Sequence, residues 1–298
     1  MKWEQAISDF SDYLKIERGL SQNSINSYIF DIQKLCSFLE AHELQYTPLT
    51  ITKETVQQFV YELAKTVAAR TQARVISGLK SFFNYLVFED YRAETPMLLI
   101  ESPNLGRKLP ETLSIEEIDR LVAAIDLSTN EGERNKAIIE TLYGCGLRVS
   151  ELINLRLSDL FFDEDFIRVV GKGNKQRLVP ISPINKKYIT IYKDQVRRHL
   201  KINPKDSDIL FLNRRGKQLT RAMIFTIVKN LALAANLNKS ISPHTFRHSF
   251  ATHLLQNNAD LRAIQQMLGH ESITTTEVYV HLNITDLADA IQQNHPRA

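Results

Sequence analysis

Residues 241–255 read ISPHTFRHSFATHLL, and three histidines and an arginine fall within the ten positions from His244 to His253. Ser242 is a natural N-cap and Pro243 suits the first helical position, which predicts a helix over 243–256. His244 and Arg247, three residues apart, then share a face near the helix N-terminus, where unpaired backbone N–H groups favour an anion. His248 follows His244 by four, a spacing that metal sites use. There is, however, no HExxH pattern and no carboxylate between Lys239 and Asp260. The expectation is an anion grip by His244 and Arg247 and no metal site, with His248 and His253 serving the fold.

Three other stretches supply compatible chemistry. In GLRVSELINL, Arg148 stands where a helix begins, against the sense of the helix dipole, so it calls for an anionic partner. Glu151, three residues on, can orient it, although an ordinary helical ion pair has the same spacing. Lys172 lies between two glycines in GKGNKQRLVP, free to reach beyond a turn, as a plain solvent-exposed lysine also would be. In MLGHESITTTEVYVHL, Gly269 ends a helix, His270 falls in a loop, and Tyr279 sits on a helix expected over 274–280. Two arginines, two histidines, a lysine and a tyrosine form a phosphoryl-transfer set. The arginines match phosphate oxygens, the tyrosine hydroxyl can attack phosphorus, and lysine or histidine can protonate the departing oxygen. Whether the six converge is not written in their spacing.

Around these stretches the chain divides. Residues 1–100 place Ile7, Phe10 and Leu14, then Ile25, Tyr28, Ile32, Leu35 and Leu39, at helical spacing. Val56, Phe59, Val60 and Leu63 follow, then Val75, Leu79, Phe82, Phe83 and Leu86, which predicts a four-helix bundle. Residues 101–110, with Pro103, Gly106 and Pro110, read as an interdomain linker. Ser114 and Glu117 form a capping box that opens the second domain, 111–298. Helices are expected at 115–125, 133–145, 149–155, 185–200, 221–235, 243–256, 260–267 and 274–280. Two strands, 166–170 and 176–181, flank a Gly/Asn turn. The fold class is thus mainly α, a helical domain followed by an α+β domain with a small antiparallel sheet.

Composition bounds the rest. The 298 residues exceed one ordinary domain, and no apolar run approaches the ~18 residues of a bilayer span. Two cysteines, Cys36 and Cys145, permit neither a disulfide framework nor a four-thiolate zinc site and fit a reducing cytoplasm. The start, MKWEQAISDFSDYLK, lacks the apolar core of a signal peptide. Residues 1–100 carry 10 Lys and Arg against 12 Asp and Glu, and residues 101–298 carry 27 against 22. The excess of positive charge in the second part suits an anionic partner.

The blocks GCGLRVSEL, GKGNKQRLVP, PHTFRHSFATHLL and LGHESITTTEVYVH, taken in order, resemble the signature of the tyrosine site-specific recombinases of the phage-integrase family, and within it the Xer subgroup. The resemblance implies an N-terminal SAM-like, core-type DNA-binding domain and a C-terminal catalytic domain forming a C-shaped clamp around double-stranded DNA. It implies that Arg148 and Arg247 clamp the scissile phosphate, that His244 is the family's first-turn catalytic histidine, and that His270 is the loop histidine that bonds the same phosphate. Lys172 would be the general acid and Tyr279 the nucleophile that forms a 3′-phosphotyrosyl intermediate. Because that exchange conserves bond energy, the resemblance implies neither nucleotide nor metal cofactor. Implied partners are a dif-like DNA site and a paralogous, XerC-like recombinase in a cyclic heterotetramer. The ending DLADAIQQNHPRA resembles a segment that docks on a neighbouring protomer, near contacts with the division-associated DNA translocase FtsK. Departures are Cys145, where many relatives have threonine, and Val280, where YTH is common. The function implied is resolution of chromosome dimers during segregation and cell division. A mobile-element integrase of the same family and a catalytically silent DNA-binding architectural protein are the alternatives.

Overall fold

The computed structural model describes residues 1–106, 111–269 and 284–298. Contacts divide the chain into two compact units, Met1–Lys108 and Leu109–Ala298.

The first unit is built from four helices, α1 (Trp3–Ile16), α2 (Gln22–Ala41), α3 (Lys53–Thr66) and α4 (Ala69–Phe88). Ser21 and Thr52 cap α2 and α3 by accepting from the N–H groups of Ser24 and Thr55. The apolar stripes read from the sequence face inward: Phe10, Ile25, Leu35, Val56, Leu79, Phe82 and Phe83 are all buried. Phe10 meets Phe82 edge-on with ring centroids 5.4 Å apart, an arrangement favoured by the ring quadrupoles.

The second unit begins with α5 (Ile115–Ala123), whose capping box is closed in both directions. Ser114 Oγ accepts from Glu117 N at 3.2 Å and Glu117 Oε2 accepts from Ser114 N at 2.8 Å. Helix α6 (Asn130–Gly144) is buried from Ala137 onward and runs through the core. After the short α7 (Val149–Ile153) come three antiparallel strands in the order β1 (Leu160–Phe161), β2 (Phe166–Val170) and β3 (Gln176–Pro180). The β2–β3 register pairs Val169 with Arg177. The hairpin matches expectation; the two-residue β1 is too short to leave a periodic signal.

The single helix expected over 185–200 is divided. Helix α8 (Pro183–Ile191) gives way to a π-helical turn at Tyr192–Val196 and a 3₁₀ turn at Arg197–His199. Tertiary bonds account for the change. The buried Tyr192 hydroxyl accepts from Leu212 N at 3.1 Å, and Arg197 donates to the carbonyls of Ser207, Ile209 and Leu210. Helices α9 (Arg221–Ala234), α10 (Pro243–Gln256) and α11 (Leu261–Leu268) follow, and α12 (Ile284–Asn294), not foreseen as a helix, ends the fold. The helix expected over 274–280 lies outside the described residues, as do Arg107 and Lys108 of the expected linker. Among the described residues no helix is long and apolar enough to cross a membrane.

Candidate active site

The site is assembled where α7, β3, α10 and the end of α11 meet. Gly146, in the turn after α6, adopts φ +57°, and a Cβ there would lie 2.5 Å from Phe250 Cδ1 on α10. Only glycine serves both the left-handed backbone and the close approach. That turn delivers Arg148 to the N-cap of α7. Arg148 donates from its backbone N–H to Glu151 Oε2 and from Nη1 to Glu151 Oε1, both at 2.8 Å. The pairing proposed from their three-residue spacing is therefore present, but Glu151 serves more than Arg148.

Glu151 is a hub. Its side chain is 2% exposed, and Arg177 of β3 grips it with a parallel fork, Nη1 to Oε1 and Nη2 to Oε2, each 2.8 Å. Arg247 of α10 places Nη1 4.0 Å from Glu151 Oε2. Burial alone would raise the Glu151 carboxyl, but the hydrogen bonds and charge of Arg177, and then of Arg148, hold it below the usual carboxylate range.

The end of α11 completes the frame. Arg177 Nε donates to Met267 O at 2.6 Å, Arg247 Nη2 to Leu268 O at 2.5 Å, and Arg148 Nη2 to Gly269 O at 3.1 Å. Three successive carbonyls at the negative end of a helix, which would otherwise lack partners, each take one guanidinium. Gly269 caps that helix at φ +64°. Arg247 Nη1 also donates to Gly146 O at 2.8 Å.

Three guanidiniums around one carboxylate leave an excess of positive charge. Arg247 shows the strain: burial first, then the charge of Arg148, brings its guanidinium down to about 10. Its side chain is 10% exposed and that of Arg177 12%, whereas Arg148 keeps 35%. The cluster is suited to an anion, with Arg148 as its open arm.

The other proposed site residues fall as follows. Lys172 begins the turn between β2 and β3, where Gly173 takes φ +70°. The preceding Gly171 brings that turn near the cluster, since a Cβ on it would sit 3.6 Å from Glu151 Oε1. His244 lies exposed on the first turn of α10, three residues before the buried Arg247. His253 is buried and its Nδ1 meets the Tyr143 hydroxyl at 2.7 Å, consistent with a role in the fold. His270 and Tyr279 lie outside the described residues. His270 follows directly on Gly269, whose carbonyl holds Arg148. Cys145, fully buried, has its thiol pushed up to about 12 by burial, which outweighs the opposing charge of Arg177. Among the described residues, no three of His, Cys, Asp and Glu are grouped as metal ligands would be.

Arg177 is the participant that sequence reasoning missed. Its signal was its place in the strand, on the same side as the buried Val179 and opposite the buried Val169. A charged residue there demands a buried partner. The C-terminal segment also lies where its sequence alone did not place it. Leu287 and Ile291 of α12 are buried in the core of their own unit. Beyond them, Arg297 Nε donates to Glu140 Oε2 at 3.2 Å and Nη2 to Asp119 Oδ1 at 2.5 Å.

The chain is a member of the phage integrase family: residues 111–285 match the model of that family and residues 7–90 match the phage integrase N-terminal SAM-like domain. It is similar to tyrosine recombinase XerD of Oceanobacillus iheyensis, 44% identical over 296 residues that cover 99% of each chain. It is also similar to tyrosine recombinase XerD of Staphylococcus haemolyticus, 40% identical with 99% of this chain and 100% of the relative covered. Among solved structures, XerH site-specific recombinase bound to difH substrate in a pre-cleavage complex shares the fold. There the TM-score is 0.69 at 24% identity, with 89% of this chain and 79% of that one covered. The protein is accordingly a DNA strand-transferring enzyme of the tyrosine recombinase family.

Proposed function

We propose that the chain recombines DNA at a dif-like site through a 3′-phosphotyrosyl intermediate. In this reading it works in the cytoplasm with a paralogous XerC-like recombinase to resolve chromosome dimers during segregation and cell division. FtsK would act through the C-terminal region. The observation that carries the chemistry is the Arg148–Arg177–Arg247 cluster around Glu151, with more positive charge than its carboxylate neutralises. The biological setting is supported by the near-full-length similarity to proteins named XerD.

Arg148 and Arg247 hold the non-bridging oxygens of the scissile phosphate, where charge accumulates as the attacking oxygen approaches. His244 and His270 donate to the same phosphate. The Tyr279 hydroxyl oxygen forms a bond to phosphorus while the bond from phosphorus to the 5′-oxygen breaks. Lys172 gives its proton to that departing oxygen, leaving a free 5′-hydroxyl. In the second half, a 5′-hydroxyl of the partner strand attacks the phosphotyrosine, the phosphodiester re-forms, and Tyr279 leaves with a proton. One phosphoester replaces another at each step, so the sequence is close to balanced in energy.

A nicked duplex carrying a dif-like site tests the reading, because loss of the short downstream fragment traps the first intermediate. A covalent protein–DNA adduct is expected from the wild type and none from Tyr279→Phe, which should still bind the duplex. An undiminished adduct in Tyr279→Phe would refute the assignment.

A further inference from the structure

Asn185, in the first turn of α8, is wholly buried. Among the described residues, neither its Nδ2 nor its Oδ1 has a hydrogen-bond partner. An amide taken from water without such partners is costly, and a small apolar side chain would avoid the cost. The residue is nonetheless held in place, since its backbone N–H donates to the N-cap Ser182 Oγ at 3.5 Å. The amide lies on Gly144, the last residue of α6. A Cβ at Gly144 would come 1.8 Å from Asn185 Nδ2 and 2.8 Å from Oδ1, closer than bonded neighbours aside any atoms approach. The Gly144 backbone is helical, so its φ does not call for glycine; the amide does.

From Gly144 the chain enters the turn that builds the arginine cluster. Cys145 and Gly146 follow, and the Gly146 carbonyl accepts from Arg247 Nη1 at 2.8 Å. Leu147 and Arg148 come next. The turn is gripped from two directions, by Phe250 of α10 against Gly146 and by Asn185 of α8 against Gly144. Helix α8 in turn starts just beyond β3, the strand that carries Arg177. Arg177 and Arg148 are already joined through Glu151. The strand and the turn are thus tied by an ionic contact at Glu151 and, through α8, by a steric one at Gly144. In a close-packed interior such a contact transmits displacement.

We propose that Asn185 is a positioning residue for the arginine cluster. Its amide, seated on Gly144, sets how the turn after α6 presents Arg148 and the carbonyl that holds Arg247. What it supplies is a flat slab of volume over a bare glycine, not a hydrogen bond, which accounts for its two unpaired atoms. The inference rests on the proposed grip of the cluster on phosphate, and it adds a residue outside the cluster.

The full chain is compared as wild type, Asn185→Ala, Gly144→Ala and the double variant, by two measurements. One is the apparent phosphate dissociation constant, from the dependence of melting temperature on inorganic phosphate against sodium chloride of equal ionic strength. The other is the rate of adduct formation on the nicked duplex at saturating protein. Asn185→Ala should weaken phosphate binding and slow the adduct, each roughly tenfold, within the range of couplings between residues in contact. Its affinity for the duplex, shared over many phosphates, should hold. Gly144→Ala, which forces the turn away from α8, should slow the adduct by up to about 10²-fold. In the double variant the new methyl group takes space that the amide vacated, so both measurements should return toward wild type. Lower melting temperatures with unchanged phosphate binding and adduct rate would reduce Asn185 to ordinary packing and overturn the proposal. A double variant no better than Asn185→Ala would overturn the pairing with Gly144, and that comparison stands even if Gly144→Ala alone does not fold. Absence of an adduct from the wild type would refute the recombination reading instead, and the phosphate measurement would still decide the role of Asn185.

Discussion

Arg177 and Glu151 meet fork to fork, two nitrogens on two oxygens at 2.8 Å each, in a place where the carboxylate has almost no contact with water. Through this pair the hairpin that carries Lys172 is tied to the helix start that carries Arg148. Glu151→Gln leaves the cluster without the one close carboxylate found among the described residues, while preserving side-chain shape. Removing one partner of a buried ion pair costs about 3–5 kcal/mol. Urea unfolding should show a loss of that order, together with loss of adduct formation on the nicked duplex. A variant as stable as the wild type would mean that the cluster is solvated enough to stand alone.

The same excess of positive charge predicts that simple anions stabilise the protein. Inorganic phosphate should raise the melting temperature of the wild type, by mass action on the folded state. The rise should be smaller in Arg247→Ala, which keeps only the general salting effect. Arg148→Ala and Arg247→Ala should each slow adduct formation by about 10²-fold or more, the scale for removing a fixed transition-state charge.

Lys172→Ala should be rescued by chemistry on the DNA. If the lysine protonates the 5′-oxygen, a duplex with sulfur in place of that bridging oxygen no longer needs it, since a thiolate leaves without a proton. We expect slow adduct formation on the ordinary duplex and near wild-type rates on the sulfur-substituted one. Absence of rescue would assign the proton to another group.

Neither cysteine should react in the folded state. Burial pushes the Cys145 thiol up to about 12 and the Cys36 thiol up to about 11, with Glu40 adding to the latter. A thiol reagent at pH 8 should label neither until urea exposes both. Prompt labelling of Cys145 would mean that the turn before Arg148 opens in solution.

His295, just beyond α12, gives a stability change at mildly acid pH. Its ring lies tilted against those of Tyr143 and Phe250, and burial, then the charges of His253 and Arg297, lower its pKa to about 3. The folded value lies below the unfolded one, so the unfolded state takes up the proton first. The stability due to His295 is therefore complete above about pH 6.5 and falls as pH drops toward 3. It falls by up to about 1.4 kcal/mol per pH unit for one proton. Burial lowers His253 too, in the same sense, whereas burial raises the nearby Glu140 and works against it. The comparison to make is the slope of unfolding free energy between pH 6.5 and 5 in wild type and His295→Gln. A flatter slope in the variant is expected, and equal slopes would rule His295 out as the source.

The helical first unit was legible almost residue for residue, because amphipathic helices announce their inner faces by spacing. Phe10, Leu35, Val56 and Phe82 occupy the positions the pattern assigned them. The hairpin was legible for a similar reason, two alternating runs around a Gly/Asn turn. The division of the helix over 185–200 was not, because the bonds that rewind it come from Tyr192 and Arg197 to residues 207–212. At the site, Arg148 and its tie to Glu151 were readable from a three-residue interval. Arg177 was not, since its partners are 26 and 90 residues away in the chain.

The sequence by itself determined the two-part organisation, the helix that ISPHTFRHSFATHLL forms, and a residue set suited to phosphate. These follow from interactions within a few positions of one another, which a linear pattern records. Only the tertiary structure decided that Arg148, Arg177 and Arg247 share one buried carboxylate and take three consecutive carbonyls at the end of α11. Charge–charge and carbonyl contacts act over a few ångströms in space, and the chain brings those atoms together only by folding. The opening stretch, conspicuous for its histidines, contributes to that cluster through its arginine.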